Sequence, residues 1–258
     1  MTISYYTDRI LIRFQWKLLP LICVIVTSFS GKPEILYEDS QILVCVKPAG
    51  FPVQTKHTGT MDLEHYLKNH LLHQSVKTAS GSKKPPYLAI IHRLDQPVRG
   101  ILVFAKTPAA AQELNKQMQN DGFTKEYEAL ICGVLPAASG TLVDYLVKDG
   151  ASNTSCICAK DTPGAKRAEL SYKVLDTNIK QNLSVVQIHL KTGRHHQIRV
   201  QMAGAGVPLW GDNKYNPDFR FKKIYTPIGL CACHLTFTHP ENGQTMSYKI
   251  PCNWTQFQ

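Results

Sequence analysis

HRLDQPVRGILVFAK, residues 92–106, sets a single carboxylate, Asp95, between Arg93 and Arg99 and then runs into an unbroken apolar segment. Upstream, YLAIIHRLD is also rich in branched apolar residues, so the polar stretch reads as the connection between two buried strands. Such connections present side chains into clefts. Working outward, EILYEDSQILVCVKPAGFPVQ alternates β-branched and aromatic residues around a turn at Asp39 and Ser40, which predicts a strand pair ending in a Pro/Gly loop. MDLEHYLKNHLLHQ places Leu63, Tyr66, Leu67 and Leu71 on one helical face, and KTASGSKKPP breaks that helix. Thr107 followed by Pro108 is an N-cap and first-turn pair; it opens a helix over PAAAQELNKQMQ that Gly122 stops.

The second half is dominated by strand signals. KEYEALICGVL, AELSYKVLDT and LSVVQIHLKT each predict a strand, and CACHLTFTH, PENG and QTMSYKI predict a hairpin. HHQIRVQMAGAG predicts a short helix with Ile198 and Met202 inward, ended by glycines. There is no internal repeat, and no linker after residue 33 marks a domain boundary. The fold class is therefore α+β, with a large, mostly antiparallel mixed sheet and flanking helices.

Composition narrows the partners. The 258 residues are 43% hydrophobic, and Lys and Arg total 29 against 19 for Asp and Glu, a formal net charge of +10. That excess suits a polyanion: RNA, DNA or an anionic membrane surface. The eight cysteines do not form a zinc or disulfide framework, since Cys156 and Cys158, and Cys231 and Cys233, are each separated by one residue. Cys45, Cys132 and Cys231 lie in apolar strand-like runs, where a thiol behaves as a small buried hydrophobe. A cytoplasmic location is the simpler expectation. At the N-terminus, Arg9, Arg13 and Lys17 precede LLPLICVIV and SFSG, the outline of a secretory signal. The apolar run contains Pro20 and is too short to span a membrane, and nothing downstream looks secreted. Residues 1–33 are accordingly read as a non-homologous leader or a misplaced start, and residues 34–258 as one functional domain. Sequons at Asn153, Asn182 and Asn253 do not alter this, and His65, His70 and His73 lack the shared face a metal needs.

Three readings of Asp95 stand on the residues alone: a structural ion pair with Arg93 or Arg99, a metal ligand, or a catalytic carboxylate. A carboxylate between arginines suits a nucleophile or base better than a proton donor. Ion pairs of this kind are mostly structural, and on that ground the first reading leads. The metal reading is weakest, because no acidic or His/Cys cluster lies nearby.

HRLDQPVRGILVFAK, KEYEAL and LKTGRHHQIRVQMAGAGVPLWGDNKY stand in an order and spacing that resemble the RluA-like family of RNA pseudouridine synthases, and YEDSQILVCVKPAGFPVQ looks like that family's opening strand pair. The resemblance runs from about Glu34 to about Pro251. It implies the pseudouridine synthase fold with a central catalytic cleft, and an isomerisation without cofactor or metal, in which a uridine of ribosomal or transfer RNA is detached from its ribose, turned over and rejoined through carbon.

By that resemblance Asp95 matches the catalytic aspartate, acting on the ribose as a nucleophile at C1′ or a base at C2′. Arg199 matches its basic partner, and Tyr127 the active-site tyrosine, able to stack on an extruded uracil. Arg93 matches the residue that fills the gap left by the flipped base. Arg194 and His196, at the start of the predicted helix, are candidates for holding phosphate. His195 reads as structural, and His92 as a hydrogen-bonding residue rather than a proton shuttle. Val98-Arg99-Gly100 departs from the Thr-Ser-Gly of many relatives, which affects loop detail and RNA preference. Two other functions remain open here: an RNA-binding or ribosome-assembly factor with vestigial isomerase activity, and a metal-dependent hydrolase using His92, Asp95, His195 and His196. The expected state is a monomer bound to RNA, with no membrane.

Overall fold

The structure is a computed structural model that describes residues 31–57, 59–77, 85–120, 122–222 and 226–254; the leader expected at 1–33 lies almost wholly outside these residues. The described elements are β1 (Glu34–Glu38), β2 (Ile42–Lys47), α1 (Leu63–Lys77), β3 (Ala89–Ile90), β4 (Arg99–Ala105), α2 (Pro108–Gln119), β5 (Thr124–Cys132), β6 (Ser139–Asp149), β7 (Thr154–Cys158), β8 (Lys166–Asn178), β9 (Leu183–Leu190), α3 (Gln197–Gly204), α4 (Pro217–Arg220), β10 (Leu230–Thr238) and β11 (Thr245–Lys249). All the strands join one sheet in the order β1-β2-β4-β10-β5-β9-β8-β6-β7, with β3 beside β4 and β11 beside β10. Every pairing is antiparallel except β4 with β10. The α+β class with a large mixed sheet is as the sequence predicts.

The apolar runs of β2 and β4 follow from burial on both faces. Leu43, Cys45, Leu102 and Phe104 pack with Leu63, Leu67 and Leu71 of α1, whereas Ile42, Val44, Ile101 and Val103 pack with Ala110, Ala111 and Leu114 of α2. Each fully buried Leu, Ile or Phe contributes about 1.5–3 kcal/mol, so the β2–β4 part of the sheet, packed by a helix on each face, is strongly stabilised. At α2 the Thr107 hydroxyl accepts the Ala110 amide, and the helix covers the expected PAAAQELNKQMQ, its end closed by the Gly122 amide on the Gln117 carbonyl at 2.8 Å.

YLAIIHRLD departs from the sequence reading. Only Ala89 and Ile90 form a strand; Ile91 and Leu94 are buried as anchors of a loop rather than as a continuing ladder. That loop carries Asp95 and feeds directly into β4. The β6–β7 hairpin was not anticipated, because its half-exposed, alternating burial gives little apolar contrast.

The parallel β4–β10 contact is close at Gly100, opposite Ala232. A Cβ at Gly100 would lie 2.4 Å from the Ala232 Cβ and 2.7 Å from its carbonyl oxygen, so this approach requires glycine.

Candidate active site

Lys47, the last residue of β2, is fully buried, and its ammonium donates to the carbonyls of Pro48, Phe51 and Gln96 at 3.0, 2.8 and 2.9 Å. The Gly50 amide also donates to the Gln96 carbonyl, at 2.8 Å. The Pro/Gly loop after β2 is thereby fastened to the residue next to Asp95. Burial lowers the Lys47 pKa to about 7, against the opposing pull of the Asp95 charge. A turn closed by the Val98 amide on the Asp95 carbonyl, 3.0 Å, completes the loop.

Asp95 meets neither of its neighbours in sequence. Arg99 turns away and donates to the Pro251 carbonyl at 3.1 Å, and Arg93 is exposed. The partner of Asp95 is Arg199, on the first turn of α3, whose Nη1 lies 3.2 Å from Asp95 Oδ2. Arg199 is 2% exposed. Its other edge is held by Asp212, Nε to Oδ2 at 2.8 Å and Nη2 to Oδ1 at 2.7 Å, a two-point clamp. Asp212 also accepts the Lys214 amide at 2.9 Å, and the guanidinium lies 5.2 Å from the centre of the Tyr215 ring. Burial alone would depress the Arg199 pKa, but the bonds and charge of Asp212, with Asp95, outweigh it and raise it. The guanidinium therefore stays charged and has one free direction, toward Asp95. Gly211 sets the turn that presents Asp212: its φ is +71°, and a Cβ there would stand 2.2 Å from the Pro227 carbonyl.

His196 approaches from a second side. It precedes α3 in the left-handed conformation, φ 54, with Nε2 3.6 Å from Asp95 Oδ2, beyond hydrogen-bond length. Its Nδ1 lies 2.7 Å from the Tyr215 hydroxyl, which accepts the Ser155 amide at 2.8 Å. Burial lowers the His196 pKa to about 4, so the ring is neutral at neutral pH. Assigned from these partners, the tautomer has Nδ1 accepting from Tyr215 and Nε2–H facing the carboxylate. His195 stacks on it with ring centres 3.8 Å apart and is held by Ser155 Oγ at 2.9 Å.

Tyr127, on β5, is 8% exposed. Burial, and then the charge of Asp95, push its phenol pKa well above the ordinary tyrosine value, so it remains protonated. Of the six site residues expected from the sequence, the structure groups Asp95, Arg199 and His196, with Tyr127 close enough to feel the Asp95 charge. Arg93 and Arg194 are exposed outside this group. Arg194 Nε donates to the Arg167 carbonyl at 2.8 Å, and its amide is taken by Gln197 Oε1, so the start of α3 is partly closed upon itself. His92 accepts the Val103 amide at 3.3 Å, the structural bond expected of it. Sequence reasoning passed over Lys47, Asp212 and Tyr215. A lysine ending the otherwise apolar strand ILVCVK was the one signal for the first, and the others sat unassigned in GDNKY.

Between Arg199 and Pro97 the surface forms a cleft further lined by Gly211, Asn213, Phe219 and Ile228. Among the described residues no group of three or more His, Cys, Asp or Glu side chains could hold a metal, and no helix is long and apolar enough to cross a membrane.

The family model for RNA pseudouridylate synthase matches residues 41–204, which include Asp95, Tyr127, His196 and Arg199. An uncharacterized RNA pseudouridine synthase of Bacillus subtilis, YhcT, is 34% identical over 224 residues, 86% of this chain and 69% of that protein. The ribosomal large subunit pseudouridine synthase D of Zymomonas mobilis is 32% identical over 224 residues, 83% of this chain and 68% of that protein. Among solved structures, the human RNA pseudouridylate synthase domain containing 4 superposes with a TM-score of 0.66 at 22% identity, covering 85% of this chain and 88% of that one, a likeness of fold.

Proposed function

Because the chain belongs to the RNA pseudouridylate synthase family and is thus an isomerase acting on RNA, we propose that Asp95 is the catalytic carboxylate that converts a flipped uridine to pseudouridine. One observation carries this reading: Asp95 is met by the guanidinium of Arg199, a residue of the cleft wall that is itself locked, from behind, by Asp212. A carboxylate acting on ribose, as nucleophile at C1′ or base at C2′, needs a fixed direction of approach. Here Arg199 fixes the direction, and the Lys47 tether fixes the backbone that bears it. The neutral His196 adds an N–H aimed at the same oxygen without taking its charge.

Tyr127, protonated and close to Asp95, supplies a ring face for the extruded uracil and a hydroxyl for the late proton transfer at C5. Arg93, exposed two residues before Asp95, fills the place vacated in the RNA stack, and Arg194 lies where the sugar-phosphate chain passes. Residues 34–258 form the catalytic unit. Its substrate is a uridine in ribosomal or transfer RNA, with large-subunit ribosomal RNA favoured by the names of the D-type relatives. The excess of Lys and Arg makes its binding salt-sensitive.

The test is a site-by-site map of pseudouridine in total RNA from cells lacking the gene, complemented with wild type or with Asp95→Asn. A site restored by wild type alone, with the variant folded and at least about 10³-fold slower on that RNA in vitro, is the expected result. Equal restoration by Asp95→Asn would remove Asp95 from the reaction.

A further inference from the structure

Away from the cleft, three thiols converge. Cys231 and Cys233 lie in β10, and Cys252 follows β11 in the segment that returns along that strand, where the Ile250 amide donates to the Cys233 carbonyl at 2.9 Å. One guanidinium nitrogen, Arg99 Nη1, touches both Cys231 Sγ, at 3.7 Å, and the carbonyl of Pro251, the residue beside Cys252, at 3.1 Å. Cys252 packs against the buried cluster that contains Cys231 and Cys233. Cys231 is 4% exposed, whereas Cys252 is only half-buried, so the group opens to solvent on the Cys252 side.

We propose that Cys231 and Cys252 are a peroxide-responsive thiol pair that closes to a disulfide and fastens the 250–254 segment to β10. This rests on the thiols alone and is independent of the RNA chemistry. The two sulfurs have different tasks. The neighbouring Cys252 thiol, followed by the charge of Arg99, lowers the Cys231 pKa in spite of burial, while Cys231 in turn raises that of Cys252. The Arg99 guanidinium, 3.7 Å from Cys231 Sγ, thus makes Cys231 the attacking sulfur, and Cys252, on the solvent side, is the resolving thiol.

With hydrogen peroxide as oxidant, the Cys231 sulfur attacks one peroxide oxygen, the O–O bond breaks, and the departing hydroxide takes the proton given up by the Cys231 thiol to leave as water. The Cys252 thiol then loses its proton and attacks the sulfenic sulfur of Cys231, displacing hydroxide, which that proton converts to a second water. Two thiols are oxidised and one peroxide is reduced to two waters. A small thiol or dithiol restores the open form by exchange.

The experiment treats the full chain with hydrogen peroxide, alkylates the remaining thiols and digests with trypsin. Lys249 separates Cys252 from the peptide that carries Cys231 and Cys233, so a linkage joins two distinct peptides. The expected result is a linked pair in the monomeric protein, lighter by two hydrogens, abolished by dithiothreitol, retained in Cys233→Ser and lost in Cys231→Ser and Cys252→Ser. The exposed Cys156 reports the peroxide dose within the same sample. Oxidation of Cys156 without any linked peptide in wild type would overturn the proposal, and so would a linkage that survives Cys231→Ser.

Discussion

Replacing Asp212 with Asn tests the lock beneath the site. In wild type, Asp212 is 1% exposed and takes both the Nε and Nη2 protons of Arg199. An amide of the same shape accepts at one position and presents N–H to N–H at the other. One charge-assisted hydrogen bond is lost, about 1.5–3 kcal/mol. The buried guanidinium then keeps only Asp95, with a side chain 27% exposed, as its counter-charge. Removing one partner of a buried pair costs about 3–5 kcal/mol; with Asp95 retained, the lower bound of about 3 kcal/mol is expected. At a urea slope of about 2 kcal/mol/M, the midpoint falls by about 1.5 M. The assay is equilibrium urea denaturation at neutral pH, followed by circular dichroism, of wild type, Asp212→Asn, Arg199→Gln and the double variant. Since each single change orphans the other residue, the double variant should be milder than the sum by about 2 kcal/mol or more. A midpoint shift below about 0.25 M, the size of an ordinary surface substitution, or simple additivity, would refute the lock.

Gly100→Ala forces a methyl group into the Ala232 backbone and should cost about 3 kcal/mol or more, visible as a thermal midpoint several degrees lower; an unchanged midpoint would mean the seam between β4 and β10 is loose. His196 binds its proton less readily in the folded protein, near pH 4, than in the unfolded chain, near 6.5, so its contribution is complete above about pH 6.5 and is lost as pH falls toward 4. That amounts to roughly 3 kcal/mol, and His196→Gln should flatten the stability profile across this window; an equally steep profile in the variant would exclude His196 as its source. Lys47 behaves similarly at higher pH: with a folded pKa of about 7, its stability contribution grows as pH rises from about 7 to about 10.4. Lys47→Met should remove that rise, cost about 2 kcal/mol or more through orphaned carbonyls and slow pseudouridine formation, read by denaturation and turnover on the same preparation.

Much of the fold was legible because burial on both faces leaves a mark in sequence. The runs of β2 and β4, the Thr107–Pro108 cap and the α1 stripe all follow from local rules. Legibility failed where apolar residues serve a loop, as Ile91 and Leu94 do, and where a hairpin is wetted along one side, as β6–β7 is. At the site, sequence proximity misled. Arg93 and Arg99 stand within four residues of Asp95, yet its partner lies 104 residues away. Ion pairs reach through space, so local composition names the acid without its base. Arg199 came into view only through a motif, and Lys47, Asp212 and Tyr215 needed coordinates because their work is done from beneath the cleft.

The placement of β10 ties this chemistry to the order of protein synthesis. The strands before α2 and the strands β5 to β9 form no ladder with one another; β10 lies between them and bonds to both. A nascent chain thus carries Asp95, Tyr127, Arg199 and Asp212 before residues 230–238 exist, without the strand ladders that join its two halves. The β10 pairing with β4 is remote in sequence and for that reason slow to form. The residues proposed to act on RNA are therefore spanned by one continuous sheet only once β10 has been made.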